Sequence, residues 1–260
     1  MPPRYREMPV AKSWLSYANL SDQYERKARF LPAVLSLIPL LPASAAWGGP
    51  FVEWLKLVLG GAGIGAVVAV GLSHLASAMG NQIQATLWPR WPHDAPTNRW
   101  LHPDEGKASK QQRELWYASL KRLVGVDIRG AVASGEEVEA TINDAVSALR
   151  ALLWDRTEAQ RLRMHNVDYG FARNITGMRP IWMTFLVAGT AGCWVSYFVV
   201  GDEALLWAIV STVLAMVLIP IGVWVLPDYV RTRAVYYAES FFGALTSLDR
   251  AHAEDEARHE

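Results

Sequence analysis

Four long stretches without Lys, Arg, Asp or Glu constrain this chain more than any other feature. They are Phe30–Val52, Leu57–Pro89, Pro180–Gly201 and Ala204–Pro227. Each is long enough to cross a bilayer as a helix, which takes about 20 apolar residues. The stretches form two close pairs, and the polar segment 90–179 separates the pairs. This pattern predicts an integral membrane protein and excludes most classes of soluble enzyme.

The placement of positive charge predicts how these helices are oriented. Lysines and arginines are concentrated in the N-terminal arm, in the polar segment between the pairs and in the C-terminal tail. The short connections Ala43–Pro50 and Val200–Ala204 carry neither residue. Cytoplasmic segments of membrane proteins are enriched in Lys and Arg. We therefore expect a multi-pass protein of the bacterial inner membrane with both termini in the cytoplasm.

The predicted fold class is an all-α integral membrane protein, with four transmembrane helices in two hairpins and a helical cytoplasmic domain between them. The predicted segments are a cytoplasmic N-terminal arm (1–28), transmembrane hairpin 1 (29–80), the cytoplasmic helical domain (81–179), transmembrane hairpin 2 (180–227) and a cytoplasmic C-terminal helix and tail (228–260).

Apolar spacing predicts the helices inside the cytoplasmic domain. One helix is expected over 107–124, where Gly125 stops it. A second begins near Glu136 and continues through residue 164. Because prolines and tryptophans alternate with polar residues over 89–106, that segment is predicted to be a loop.

The sequence contains no catalytic signature. It lacks a glycine-rich phosphate loop, a His-Glu-x-x-His pair, a nucleophile elbow and Cys/His zinc spacing. His93 and His102 share a loop, but no cysteine or carboxylate cluster completes a ligand set. We therefore expect a protein that is not an enzyme and has no metal and no cofactor. The net charge of zero gives no indication of nucleic-acid binding.

A pair of glycines in the second stretch predicts close helix packing. Gly61 and Gly65 have the small-xxx-small spacing that lets two membrane helices approach each other. The spacing fits packing within one chain and self-association equally well. Because the span centres also lack ionisable side chains, a proton-coupled pump is disfavoured.

The junction between the polar segment and the third stretch holds the most specific residues. Gly170 and Gly177 allow sharp turns there, and Pro180 suits the first turn of a membrane helix. The candidate ligand-binding or coupling residues are Tyr169, Phe171, Arg173, Asn174 and Arg179. Three interpretations are open: an anchor on lipid phosphates, an element that couples the cytoplasmic domain to the spans, and a contact to a phosphate-bearing ligand.

This junction also resembles a known sequence signature. Tyr169–Pro180 is similar to a Tyr-Gly-Phe-x-Arg-Asn-x-x-Gly-x-(Lys/Arg)-Pro pattern in a group of uncharacterised bacterial four-span membrane proteins. Pro96–Leu101 and Tyr24–Pro32 resemble two further pieces of that group. Ala172 stands where the group more often has arginine, which weakens any paired-arginine site. The resemblance implies an anti-phage defence effector that depolarises the cell when a cytoplasmic sensor fires.

The leading hypothesis is a non-enzymatic inner-membrane effector. A cytoplasmic signal would act on the cytoplasmic helical domain, and oligomerised spans would then disrupt or depolarise the membrane. The expected partners are the lipid bilayer, further copies of the chain, and a cytoplasmic signalling protein or a small nucleotide ligand, with no nucleic acid. The alternatives are a membrane scaffold that tethers a cytoplasmic partner, and a small-solute channel.

Overall fold

The computed structural model describes residues 23–48, 62–135 and 137–259 of the 260-residue chain. Every regular element in those three ranges is helical, which confirms the all-α prediction. The α-helices, numbered in chain order, are α1 (Leu31–Leu35), α2 (Leu41–Trp47), α3 (Ala62–Leu87), α4 (Pro96–Leu101), α5 (Lys110–Val124), α6 (Ile128–Ser134), α7 (Val138–Leu153), α8 (Gln160–Gly177), α9 (Arg179–Val200), α10 (Leu205–Pro220) and α11 (Leu226–His259). Short π or 3-10 turns occupy Glu25–Phe30, Ile38–Leu40, Thr157–Ala159, Asp202–Ala204 and Ile221–Val225.

Three helical stretches in the described residues are long and apolar enough to cross a membrane. They are Glu25–Trp47, Arg179–Val200 and the apolar part of Asp202–Arg258. These stretches account for the first, third and fourth predicted spans. The predicted second span, Leu57–Pro89, begins outside the described residues, and its described part is α3. The second span, and with it the total of four spans in two hairpins, therefore remains a prediction.

Contacts divide the chain into two compact units. The first comprises the described residues of Met1–Ala78 and Met178–Ala215, and the second those of Met79–Gly177 and Met216–Glu260. The predicted N-terminal arm 1–28 lies mostly outside the described residues. The second unit combines the predicted cytoplasmic helical domain with the C-terminal helix, which sequence patterning had separated from it.

In the first unit, the proline-rich first span packs along α9. A Cβ at Gly189 would lie 2.9 Å from the carbonyl oxygen of Pro39, so only glycine allows this approach. Further along both helices, Ser196 Oγ donates to the carbonyl oxygen of Ala46 at 2.9 Å. Because residue numbers rise together at these two contacts, the first and third spans run parallel.

The described part of the first unit also pairs the third span with the fourth. Trp194 Nε1 donates to Thr212 Oγ1 at 3.0 Å, and Thr190 Oγ1 donates to the carbonyl oxygen of Ser211 at 3.3 Å. Of the two glycines predicted to pack the second span, Gly61 lies outside the described residues. Gly65 lies in the first turn of α3, and the close packing of that face remains a prediction.

The second unit is built on a core shared by α4, α5, α7, α8 and α11. Its fully buried side chains recur at helical spacing, as the apolar pattern predicted; among the largest are Leu101, Leu120, Ile142, Leu149, Leu153, Phe241 and Leu245. Trp116 and Phe242 stack with ring centroids 4.0 Å apart, and Trp100 stacks on both. The indole of Trp100, from the predicted loop, is thus part of this core.

Helix α5 confirms the predicted helix over 107–124 almost to its ends. Ser109 caps its N-terminus by accepting a hydrogen bond from the backbone N–H of Gln112 at 3.1 Å. Gly125 ends it in the left-handed region, with φ of 74°, as the stop signal predicted.

Two details of the second unit differ from the sequence-based expectation. The predicted loop 89–106 contains α4, because Pro96 takes a position in the first turn, where its missing N–H costs nothing. The predicted helix through residue 164 is broken after Leu153, and α8 begins at Gln160. Arg163 stabilises the break, since its Nη1 donates to the carbonyl oxygens of Trp154 and Arg156 at 3.2 and 2.8 Å.

Candidate functional site

The predicted turns at Gly170 and Gly177 are wrong, because both glycines belong to helix α8. Neither glycine has a positive φ, so neither is there for backbone freedom. Gly177 is required for space instead: a Cβ on it would lie 2.5 Å from the backbone N of Gly80 and from the backbone carbon of Met79. Helices α3 and α8 therefore cross at backbone contact, which only small residues permit.

The same crossing orients Asn174. This side chain is fully buried, and its Oδ1 lies where a Cβ on Gly80 would be, so α3 needs a glycine there as well. Arg173 Nε donates to the same oxygen at 3.3 Å. A buried amide without partners would cost free energy, and the small residues around the crossing give Asn174 room to be satisfied.

Gln84 of α3 contacts two of the candidate ligand-binding or coupling residues. Its Oε1 accepts from Arg173 Nη1 at 2.8 Å and from the hydroxyl of Tyr169 at 3.2 Å. The guanidinium carbon of Arg173 also lies 5.8 Å from the centroid of the Tyr169 ring. Because Gln84 is buried, these hydrogen bonds fix how α8 sits against α3.

The structure thus brings Tyr169, Arg173 and Asn174 together on α8, facing α3. The other two predicted residues lie elsewhere. Phe171 is partly buried and takes no part in the Gln84 hydrogen bonds. Arg179 is the first residue of α9, in the first unit.

A cavity of about 260 Å³ adjoins this network within the second unit. Its lining comprises Gln84, Trp91, Ala95, Pro96, Thr97, Arg150, Leu153, Trp154, Ala159, Leu162, Arg163, Asn166, Tyr169, Arg173, Ala234 and Tyr237. The aliphatic members of the lining are mostly buried, whereas two of its tryptophans are exposed. Trp91 is 42% exposed and Trp154 is 44% exposed.

Three arginines contribute positive charge to this cavity, and its described lining includes no acidic side chain. Arg163 donates to backbone carbonyls and Arg173 donates to amide oxygens. Arg150 is exposed and has no ion-pair partner among the described side chains. None of the three guanidinium groups is paired with a carboxylate among the described side chains. The cavity therefore favours an anion.

Arginines elsewhere in the second unit behave differently. Arg122 donates to both carboxylate oxygens of Asp249, at 2.8 and 2.5 Å, and this contact raises the pKa of Arg122. Arg90 donates to Asp94 through its backbone N–H at 2.9 Å and its guanidinium at 2.8 Å. The backbone hydrogen bond is the main cause of a lowered pKa at Asp94, and the guanidinium adds to it.

The two histidines that share a predicted loop do not gather a larger ligand set. His93 Nδ1 lies 3.8 Å from Glu139 Oε2. No group of three His, Cys, Asp or Glu side chains that could hold a metal ion occurs among the described residues.

The sequence pattern identified two residues of the cavity lining and missed the others. Tyr169 and Arg173 were singled out from the junction, but Gln84, Arg150 and Arg163 were not. Gln84 is 85 residues from the Tyr169 hydroxyl that it binds. The apolar pattern gave no signal for them, since it predicted one continuous helix across the break at Trp154.

Comparison with known proteins identified no relative of this chain. No protein-family model, curated protein or solved structure matches the chain.

Proposed function

We propose that this chain is a non-enzymatic, signal-gated effector of the bacterial inner membrane. In this proposal the part of the second unit outside the spans is cytoplasmic and receives a signal, and the spans of several copies then disrupt or depolarise the membrane. The spans number four, in two hairpins, with both termini in the cytoplasm. The parallel course of the first and third spans supports this topology, because both would then enter from the cytoplasmic side.

The observation that carries the proposal is the position of α8 in the chain. This helix holds Tyr169, Arg173 and Asn174, and it ends at Gly177. The apolar helix α9 begins at Arg179, so a single residue separates the helix that contacts Gln84 from a candidate span. Because the connection is so short, a movement of α8 against α3 would also move the start of α9. This short connection supports the coupling interpretation of the junction.

The apolar helices also support an assembly of several copies. Within the chain, only 11–28% of the apolar window in each candidate span is buried. Phe198, Met216 and Trp224 are among the large apolar side chains left exposed. Such surfaces are covered by lipid or by other spans, and both occupants are part of the proposal.

The proposal is tested by inducing the full chain in bacterial cells, together with the genes that neighbour its own, while a potential-sensitive dye is followed. We expect depolarisation in the wild type and a weaker response in Arg173→Ala. The matched control is Arg161→Ala, which removes an exposed arginine from the same helix and leaves the Gln84 network intact. An unchanged potential under every triggering condition, with the protein present in the membrane, would refute the effector. A stable complex with a partner protein and no conductance would identify a scaffold instead.

A further inference from the structure

We propose that the cavity of the second unit binds a small phosphorylated molecule that carries a planar ring, such as a mononucleotide. The site itself follows from the residues around the cavity. Its role as the receiver of the signal rests on the proposed function. The cavity residues Arg150, Arg163 and Arg173 would hold the phosphate, and the aromatic side chains of the lining would hold the ring.

The phosphate is inferred from the positive charge. Arg150, Arg163 and Arg173 surround one cavity without a described acidic side chain in its lining. By contrast, Arg122 and Arg90 each have a carboxylate at 2.5–2.8 Å. Guanidinium groups bind phosphate oxygens through paired, charge-assisted hydrogen bonds. Because no carboxylate takes them, the guanidinium donors that Arg163 and Arg173 do not give to carbonyl and amide oxygens, together with those of Arg150, are left for a ligand.

The ring is inferred from the aromatic side chains. Trp91 and Trp154 lie outside the candidate spans, line the cavity and keep more than two-fifths of their surface exposed. Tyr169 and Tyr237 line the same cavity, and their ring centroids lie 6.4 Å apart. Flat apolar faces of this kind stack on planar heterocycles, and base stacking on aromatic side chains is a recurring mode of nucleotide recognition.

The size of the cavity limits the ligand to a small molecule. Ligand pockets in proteins commonly measure about 300–1,000 Å³, and this cavity of about 260 Å³ lies close to the lower end of that range. Its lining includes the buried apolar side chains Leu153, Ala159 and Leu162. One ring with one phosphate group fits both this volume and this polarity.

Binding of a ligand in this cavity would directly affect the contact between α8 and α3. Arg173 lines the cavity and also donates to Gln84 of α3 at 2.8 Å. A phosphate that takes hydrogen bonds from Arg173 competes with Gln84 for the same guanidinium. Ligand binding would therefore alter the contact that fixes α8 on α3, next to the crossing of Gly177 and Gly80.

The test is equilibrium dialysis of the full chain in detergent micelles against labelled nucleoside 5′-monophosphates and 3′,5′-cyclic monophosphates. Unlabelled nucleosides, inorganic phosphate and phosphatidylglycerol vesicles serve as competitors. We expect at least one nucleotide to bind. Its nucleoside and inorganic phosphate should each bind at least about tenfold more weakly, since each lacks one recognised part.

Two substitutions locate the binding. Arg150→Gln removes an exposed charge and should weaken binding about tenfold or more, whereas Arg161→Gln on α8 should leave it unchanged. Trp154→Ala should weaken binding, and Trp154→Phe should restore most of it, because a flat ring is retained. Equal affinity in Arg150→Gln and Arg161→Gln would overturn the site, even if a nucleotide binds elsewhere.

The competitors decide the source of the phosphate. Displacement by phosphatidylglycerol vesicles that depends on Arg150 would keep the phosphate site and make a lipid headgroup its ligand. No binding of any nucleotide or of the vesicles would overturn the inference. Failure of the site and failure of the proposed function are distinguishable. A nucleotide that binds through Arg150 without changing the membrane potential leaves the site in place and refutes the effector.

Discussion

Replacing Gly177 with alanine should destabilise the second unit, although alanine is the better helix former. The new Cβ would lie 2.5 Å from backbone atoms of Gly80 and Met79, whereas ordinary contact begins at 3.4 Å. Helix α3 must therefore move by about 1 Å, and a backbone obstacle cannot rotate aside. Overpacking of this kind costs about 1–3 kcal/mol, and the helix propensity of alanine offsets up to about 1 kcal/mol of it.

The net loss is about 0–2 kcal/mol, and the loss relative to a glycine-to-alanine change in open space is about 1–3 kcal/mol. It is measurable by thermal unfolding of the full chain in detergent, followed by far-ultraviolet circular dichroism. For a protein of this size, each kcal/mol shifts the midpoint by about 2–4 °C, so we expect a midpoint roughly 2–12 °C below that of such a control. The matched control is Gly243→Ala in α11. No described atom lies within 4 Å of its added Cβ, and its midpoint should stay level or rise. A Gly177→Ala midpoint equal to or above that of Gly243→Ala would refute the close helix crossing.

Three further predictions concern the second unit and the second span. Asp94→Asn should make the stability of the fold depend less on pH in the acid range. Because the folded-state pKa of Asp94 is lowered from 3.8, its carboxylate stabilises the fold above about that pH, and the contribution is lost as pH falls through the lower folded value. If the unfolding midpoints of the wild type and the variant change equally with pH between pH 2 and 6, this prediction is contradicted. Tyr117→Phe removes the hydroxyl that donates to the buried carbonyl of Leu101, so the free energy of unfolding should fall by about 1–3 kcal/mol in denaturant titration. An unchanged value would show that the hydrogen bond contributes nothing. Gly61→Leu should weaken both cross-linking between copies and depolarisation if this face packs helices; wild-type behaviour in both assays would reject that role.

Sequence patterning predicted the parts of the fold that depend on local physics. The apolar stretches correspond to three candidate spans in the described residues, because length and the absence of charge are sufficient to identify a span. Gly125 ends α5 as predicted, for a reason contained in its own backbone, whereas the Ser109 cap at the other end was not predicted. Tyr169 and Arg173 were singled out as candidate ligand-binding or coupling residues, and both contact Gln84, but their role remains a prediction.

The misses arose where a distant partner determines the local conformation. Gly170 and Gly177 suit turns by composition, but the requirement at Gly177 is room for α3, which no window around residue 177 contains. Trp154 ends a helix with a good apolar pattern, partly because Arg163 binds the freed carbonyl groups. The cavity was missed for the same reason, since its arginines come from helices α7 and α8 and its amide from α3.

The central claim is that the state of the second unit controls the permeability of the spans. The most direct test uses proteoliposomes that contain the full chain and hold a potassium diffusion potential, reported by a potential-sensitive dye. A nucleotide shown by dialysis to bind through Arg150 is then added to the side on which the second unit is accessible. We expect the potential to collapse with the wild type and to persist with Arg150→Gln. A potential that persists in the wild type while the nucleotide is bound would contradict it.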